Sequence, residues 1–341
     1  MLAKAKNWIL DAISQKAKKP MPILSFPGVQ LLGAKVSELV KDGSLQANCM
    51  KAIADRYGGA LASVALMDLS IEAEAFGSPV IFSEDEVPTV VNRIIESSGD
   101  VEKLKVPEVG TARTGEYIKA VREAKKLITD RPVLAGAIGP FSLAGRLLDM
   151  TEVMVLSLDE PETVHAVLKK ASAFILAYAR KFKKAGADGI IFAEPAAGLL
   201  SPGLNREFSA GYLKQIIGEI KDENFAVIYH NCGNTIPLIK DILDIGADGL
   251  HFGNAIKLHE MLPLVPPGIA VFGNVSPVSR FKAGTAREIS ENTLEILEKC
   301  GIYPNYIPSS GCDIPPTSPL ENIDAFFEAV KKYYDNITIN R

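Results

Sequence analysis

Short runs of apolar and β-branched residues alternate along this chain with longer stretches of helical periodicity. The runs lie at 22–26, 62–67, 133–138, 189–193, 226–230, 249–252, 269–273 and 305–308. Between them the pattern predicts helices such as 161–185, opened near Asp159 or Glu160 and closed by Ala185-Gly186, and 285–299, stopped by Cys300-Gly301. Strand and helix alternating in this way predict an α/β fold, a (β/α)8 TIM barrel with parallel strands. Extra helices are expected near the N-terminus and after the second strand. The segment 76–129 is longer than one crossover needs and is expected to form such helices or a lid over the barrel mouth. No Pro/Gly/Ser-rich linker, internal repeat or low-complexity tract interrupts the pattern, so one domain is expected across 1–341.

Composition narrows the classes. The chain has 341 residues, 47% of them hydrophobic, enough for a full core. Lys and Arg total 37 against 41 Asp and Glu, well mixed, and no apolar run reaches the length of a membrane span. Neither nucleic acid nor membrane is expected as a partner. Four cysteines, with no secretory signal pattern at the start of the sequence, read as a reducing, cytoplasmic context in which thiolates are free for metal.

The chemistry concentrates at the predicted strand ends. His230-Asn231-Cys232 closes one strand, and residues two apart point to the same side, so His230 and Cys232 can converge while Asn231 faces away. Cys312, in Ser310-Gly311-Cys312-Asp313, follows the last strand. One imidazole and two thiolates suit Zn²⁺ with a fourth position open, as in catalytic sites. The competing account is a buried histidine and two inert core cysteines. Glu194, His251 with Asn254, and Asn274 close the neighbouring strands, so consecutive strand ends present polar side chains to one mouth, where barrel enzymes build their sites. Independent core cysteines have no reason to land in that register, which favours zinc.

These residues resemble a known family, the cobamide-dependent methyltransferases related to methylcobamide:coenzyme M methyltransferase, within the uroporphyrinogen decarboxylase superfamily. The likeness runs through most of the chain and is strongest over His230-Asn231-Cys232-Gly233-Asn234, Gly273-Asn274-Val275-Ser276-Pro277 and Gly311-Cys312-Asp313-Ile314-Pro315-Pro316. It implies His230, Cys232 and Cys312 as zinc ligands, with His251 or Glu194 near the ion, and Glu194-Pro195 matches an acidic residue before Pro in relatives. The implied reaction moves a methyl group between a corrinoid (methylcobalamin-type) cofactor and a small thiol, folate or methylated substrate. The chain contains no Asp-x-His-x-x-Gly corrinoid element, so the corrinoid is expected on a separate partner protein docking at the mouth.

The alternative is a decarboxylase of tetrapyrrole biosynthesis. That branch meets a polycarboxylate substrate with an Arg-rich segment after the first strand, whereas residues 26–33 here contain no Arg. Asn274 has two readings, orienting a ligand or forming the turn before Pro277. Asp68, Glu72 and Glu74 read as helix-dipole partners or substrate contacts, and Cys49 and Cys300 as structural.

Overall fold

The computed structural model describes residues 7–339, so residues 1–6 and 340–341 of the expected domain lie outside it. The strands are β1 (Ser63–Val64), β2 (Val80–Ile81), β3 (Thr89–Val90), β4 (Val133–Ile138), β5 (Gly189–Ala193), β6 (Ala226–Asn231), β7 (Gly249–Phe252), β8 (Ala270–Val275) and β9 (Tyr306–Ser310). Seven of them form one curled parallel sheet in the order β1-β4-β5-β6-β7-β8-β9, with helices between them. The helix Pro161–Ala185 has the predicted bounds and ends on Gly186 at φ 98°, a left-handed conformation that glycine reaches without a Cβ penalty.

The expected first strand, 22–26, is not a strand. It runs extended past the sheet's two edges: Met21 N donates to Pro308 O at 2.9 Å, and Leu61 N donates to Pro20 O at 2.8 Å. Pro20 and Pro22 have no N–H, so a continuous ladder cannot form. Side chains take over instead. Ile23 N donates to Ser310 Oγ at 3.0 Å, and Ser309 Oγ donates to Met21 O at 2.6 Å.

The segment 76–129 forms the helices Ser98–Lys103 and Thr114–Leu127, together with an antiparallel ribbon of β2 and β3 that the sequence reading did not include. Two-residue strands are too short to show a period.

Alternation along the strands builds two cores. Outward residues such as Ile190, Phe192, Val227 and Tyr229 pack against the helices, while Leu134, Ile191, Ile228, Phe272 and Ile307 fill the interior. Ile9 and Ala12 of the first described helix join that interior cluster. Lys18 donates to the carbonyls of Ala12 and Ile13 at 3.0 and 2.6 Å, satisfying the end of that helix.

Thr285 and Glu288 form a reciprocal capping box at the start of the helix Ala286–Cys300. Thr285→Ala is expected to lower stability by about 1 kcal/mol in urea unfolding, without changing the slope of the transition.

Candidate metal centre

The inward series of β6 changes character as it nears the mouth: Ala226 and Ile228 belong to the apolar interior, His230 ends the series, and Cys232 follows in the loop. Cys312 arrives from beyond β9. One ligand atom from each of His230, Cys232 and Cys312 lies within 4.8 Å of the others, and His230 Nε2 is 3.4 Å from Cys312 Sγ. Zinc–nitrogen and zinc–sulfur bonds at a tetrahedral angle give a ligand edge of roughly 3.6 Å, so this spacing and donor set fit a zinc ion. Cadmium-like soft metals aside, a nitrogen and two thiolates are the chemistry that zinc prefers.

The two thiols lie close enough to influence each other. The contact with Cys312 pulls the Cys232 thiol well below its usual range, and the same contact raises Cys312. Cys49 and Cys300 behave oppositely, since burial pushes both up to about 12, and Cys49 donates to Ser25 O at 3.2 Å. They read as structural thiols.

The loop carrying Cys232 is held by backbone contacts. Asn231 faces away from the thiols, donating to Glu194 O at 2.6 Å and Tyr229 Oη at 3.1 Å and accepting from Gly233 N at 2.8 Å. A Cβ at position 253 would lie 2.5 Å from Cys232 Cα, so Gly253 is required for this close approach.

The structure places the other expected site residues around this trio rather than in it. His251 lies behind His230, with its Nδ1 2.8 Å from His230 Nδ1 and its Nε2 2.9 Å from Ser309 Oγ; burial keeps its pKa well below the ordinary range. Glu194 turns to the N-terminus of the helix Pro140–Leu148, where its oxygens accept from Phe141 N at 3.1 Å and Ser142 N at 2.5 Å. Burial raises its carboxyl to about 7. Gly139 makes room for it, because a Cβ there would meet Glu194 Oε2 at 2.2 Å. Asn274 donates to Gly253 O at 3.0 Å and Ile256 O at 2.9 Å, organising the loop after β7.

Two features went unread in the sequence. Arg113, from the 76–129 segment, donates to Asp68 at 2.5 Å, Glu74 at 2.6 Å and Ser70 Oγ at 2.8 Å, and Tyr117 Oη donates to Asp68 at 2.8 Å. This buried cluster ties the segment to the residues after β1, and it absorbs Asp68 and Glu74. Asp313, beside Cys312, has a buried carboxylate oxygen with no hydrogen-bond partner among the described residues, and burial raises its pKa well above the usual carboxylate range. Alternation and spacing give no signal for a pairing between residues 45 apart.

A family model described as uroporphyrinogen decarboxylase (URO-D) matches residues 17–333. The methylcobamide:CoM methyltransferase MtbA of Methanosarcina acetivorans is 27% identical over 270 residues, covering 78% of this chain and 78% of that protein. A uroporphyrinogen decarboxylase of Coxiella burnetii is 26% identical over 289 residues, covering 80% of this chain and 77% of that protein. A solved structure described as a methyltransferase from Methanosarcina mazei superposes with a TM-score of 0.84 at 25% identity, covering 97% of this chain and 99% of that one.

Proposed function

This chain belongs to the uroporphyrinogen decarboxylase family, and from that premise we propose that it is a zinc-dependent methyltransferase working with a corrinoid protein. It moves a methyl group between that protein and a small thiol, folate or methylated substrate. The observation that carries the reading is the convergence of His230, Cys232 and Cys312 at the C-terminal end of the sheet. The methyltransferases of Methanosarcina among its relatives support it. We read the fold accordingly as one (β/α)8 barrel domain, with residues 20–25 standing in as the eighth stave.

Zinc held by His230, Cys232 and Cys312 would supply a Lewis-acid position that lowers the pKa of a substrate thiol or polarises a methylated heteroatom. The chain's own residues do the rest. The Cys232 and Cys312 pair supplies thiolate donors, Asn231 and Gly253 fix the loop that carries Cys232, and Asn274 braces the loop beside it. Glu194 and Asn274 act through this scaffold. The corrinoid protein docks over the same mouth, since methyl transfer brings the reacting atoms to roughly 3–3.5 Å. Arg113 ties the later part of the 76–129 segment to Asp68 and Glu74. Among the described residues no helix is long and apolar enough to cross a membrane.

Decarboxylation is the second reading, favoured by the Coxiella burnetii relative. The segment 26–33 weighs against it. Gln30, its one long polar side chain, donates to Pro316 O and Ser318 O at 2.8 Å each, leaving no side-chain donor there for a polycarboxylate.

Mixed anaerobically with methylcobalamin and a panel of thiols, folates and methyl ethers, the zinc-loaded protein is expected to exchange methyl with at least one, followed by the change in the cobalamin spectrum. With uroporphyrinogen it is expected to release no CO₂. Robust CO₂ release without methyl exchange would reverse the assignment.

A further inference from the structure

A metal-binding imidazole must offer one nitrogen bare, and which nitrogen that is depends on where the ring keeps its proton. In this protein the hydrogen bonds settle the question from two directions. His230 Nδ1 lies 2.8 Å from His251 Nδ1 and 3.2 Å from the carbonyl oxygen of His251. A carbonyl only accepts, so His230 Nδ1 is the donor, and His251 Nδ1 accepts the same proton. His251 then carries its own proton on Nε2, which reaches Ser309 Oγ at 2.9 Å.

The far end of the chain gives the same answer independently. Ser309 Oγ lies 2.6 Å from the carbonyl of buried Met21. That carbonyl accepts only, so the single hydroxyl proton goes to it and Ser309 Oγ must accept from His251. Read from either end, every proton in the sequence Met21–Ser309–His251–His230 points the same way. His230 Nε2 is left facing Cys312 Sγ at 3.4 Å.

We propose that His251, held in turn by Ser309, is a positioning residue that locks the proton of His230 on Nδ1 and makes Nε2 the only nitrogen a metal can take. The inference rests on the zinc reading given above, but its first test does not need the metal. Side chains that orient a metal-binding histidine typically contribute 10–100-fold to metal affinity. His251 performs this task with an imidazole where a carboxylate or backbone carbonyl commonly serves. A neutral acceptor leaves the charge of the site to its cysteines.

The chain has four histidines, which makes selective ¹⁵N-histidine labelling readable. In metal-free wild-type protein, His230 is expected to show a slowly exchanging Nδ1–H. In His251→Phe, where only the backbone carbonyl of residue 251 is left to accept at 3.2 Å, that signal exchanges faster, and zinc affinity measured by chelator competition falls about 10–100-fold. His251→Gln, whose amide oxygen can accept from Nδ1–H, is expected to recover part of both. Ser309→Ala, which leaves the ring in place, gives a smaller loss in the same direction. A His230 Nδ1 without its proton in the wild type would overturn the proposal. So would zinc affinity within twofold of wild type in folded His251→Phe. If the wild type showed the Nδ1–H but bound no zinc, the relay would stand and the methyltransferase reading would fall.

Discussion

Cys312→Ala, and separately Cys232→Ser, is expected to strip zinc from a protein that otherwise holds about one ion per chain through three protein ligands. The size of the effect follows from the ligand count. Four-ligand structural zinc sites bind with roughly 10–16 kcal/mol, about 2.5–4 kcal/mol per ligand, so losing one ligand here is expected to remove roughly two to three orders of magnitude in affinity. Methyl exchange is lost with it. Both cysteines are only partly buried at the mouth, so the fold should survive the change. Elemental analysis of the purified variants, beside circular dichroism to establish folding, checks this. Stoichiometric zinc in both variants would mean that the ion, if present, sits elsewhere. Thiolates oxidise and open sites lose metal to chelators, so the comparison is made after reduction and zinc reconstitution.

The second large effect is on stability. Arg113 is 8% exposed and Asp68 is fully buried, and the two meet at 2.5 Å. Arg113→Met leaves the Asp68 carboxylate without its cation in the interior, a change that typically costs about 3–5 kcal/mol. Asp68→Asn in the same background removes the stranded charge, its amide oxygen still accepting from Ser70 and its amide nitrogen facing Tyr117 Oη, which can turn to accept, and is expected to restore most of the loss. Urea unfolding of the two single variants and the double variant measures the coupling. A drop below about 1 kcal/mol in Arg113→Met would show that the pair does not anchor the 76–129 segment.

Much of this architecture was legible because period and position carry it. Strand runs of the right length and composition marked six of the seven sheet strands closely, and β1 within a longer run. The two-residue offset let His230 and Cys232 converge, and their ligand atoms do lie within 4.8 Å of each other and of Cys312, with Cys232 just past the end of β6. What periodicity cannot express is direction within a face. Glu194 and His251 both sit at strand ends, as expected, yet one turns to helix amides and the other to a neighbouring ring, because each finds buried partners there. The extended run at 22–26 looked like a strand by its apolar content. Its prolines were the signal that it could not ladder, and they outweighed hydrophobicity. The Arg113 cluster left no trace in local pattern, since its partners come together only when the chain folds.

The prolines at that edge have a further consequence. Six parallel ladders join the seven strands, while the remaining gap is bridged by scattered bonds to residues 20–25. Residues 20–29 are buried, so this gap is closed by packing rather than by a ladder. Ser309 stands on that seam and is also the last link in the hydrogen-bond chain behind His230. The edge without a ladder is thus joined through one serine to the imidazole of the site. Displacing the proline-broken edge would therefore take with it the Met21 carbonyl that fixes the Ser309 hydroxyl.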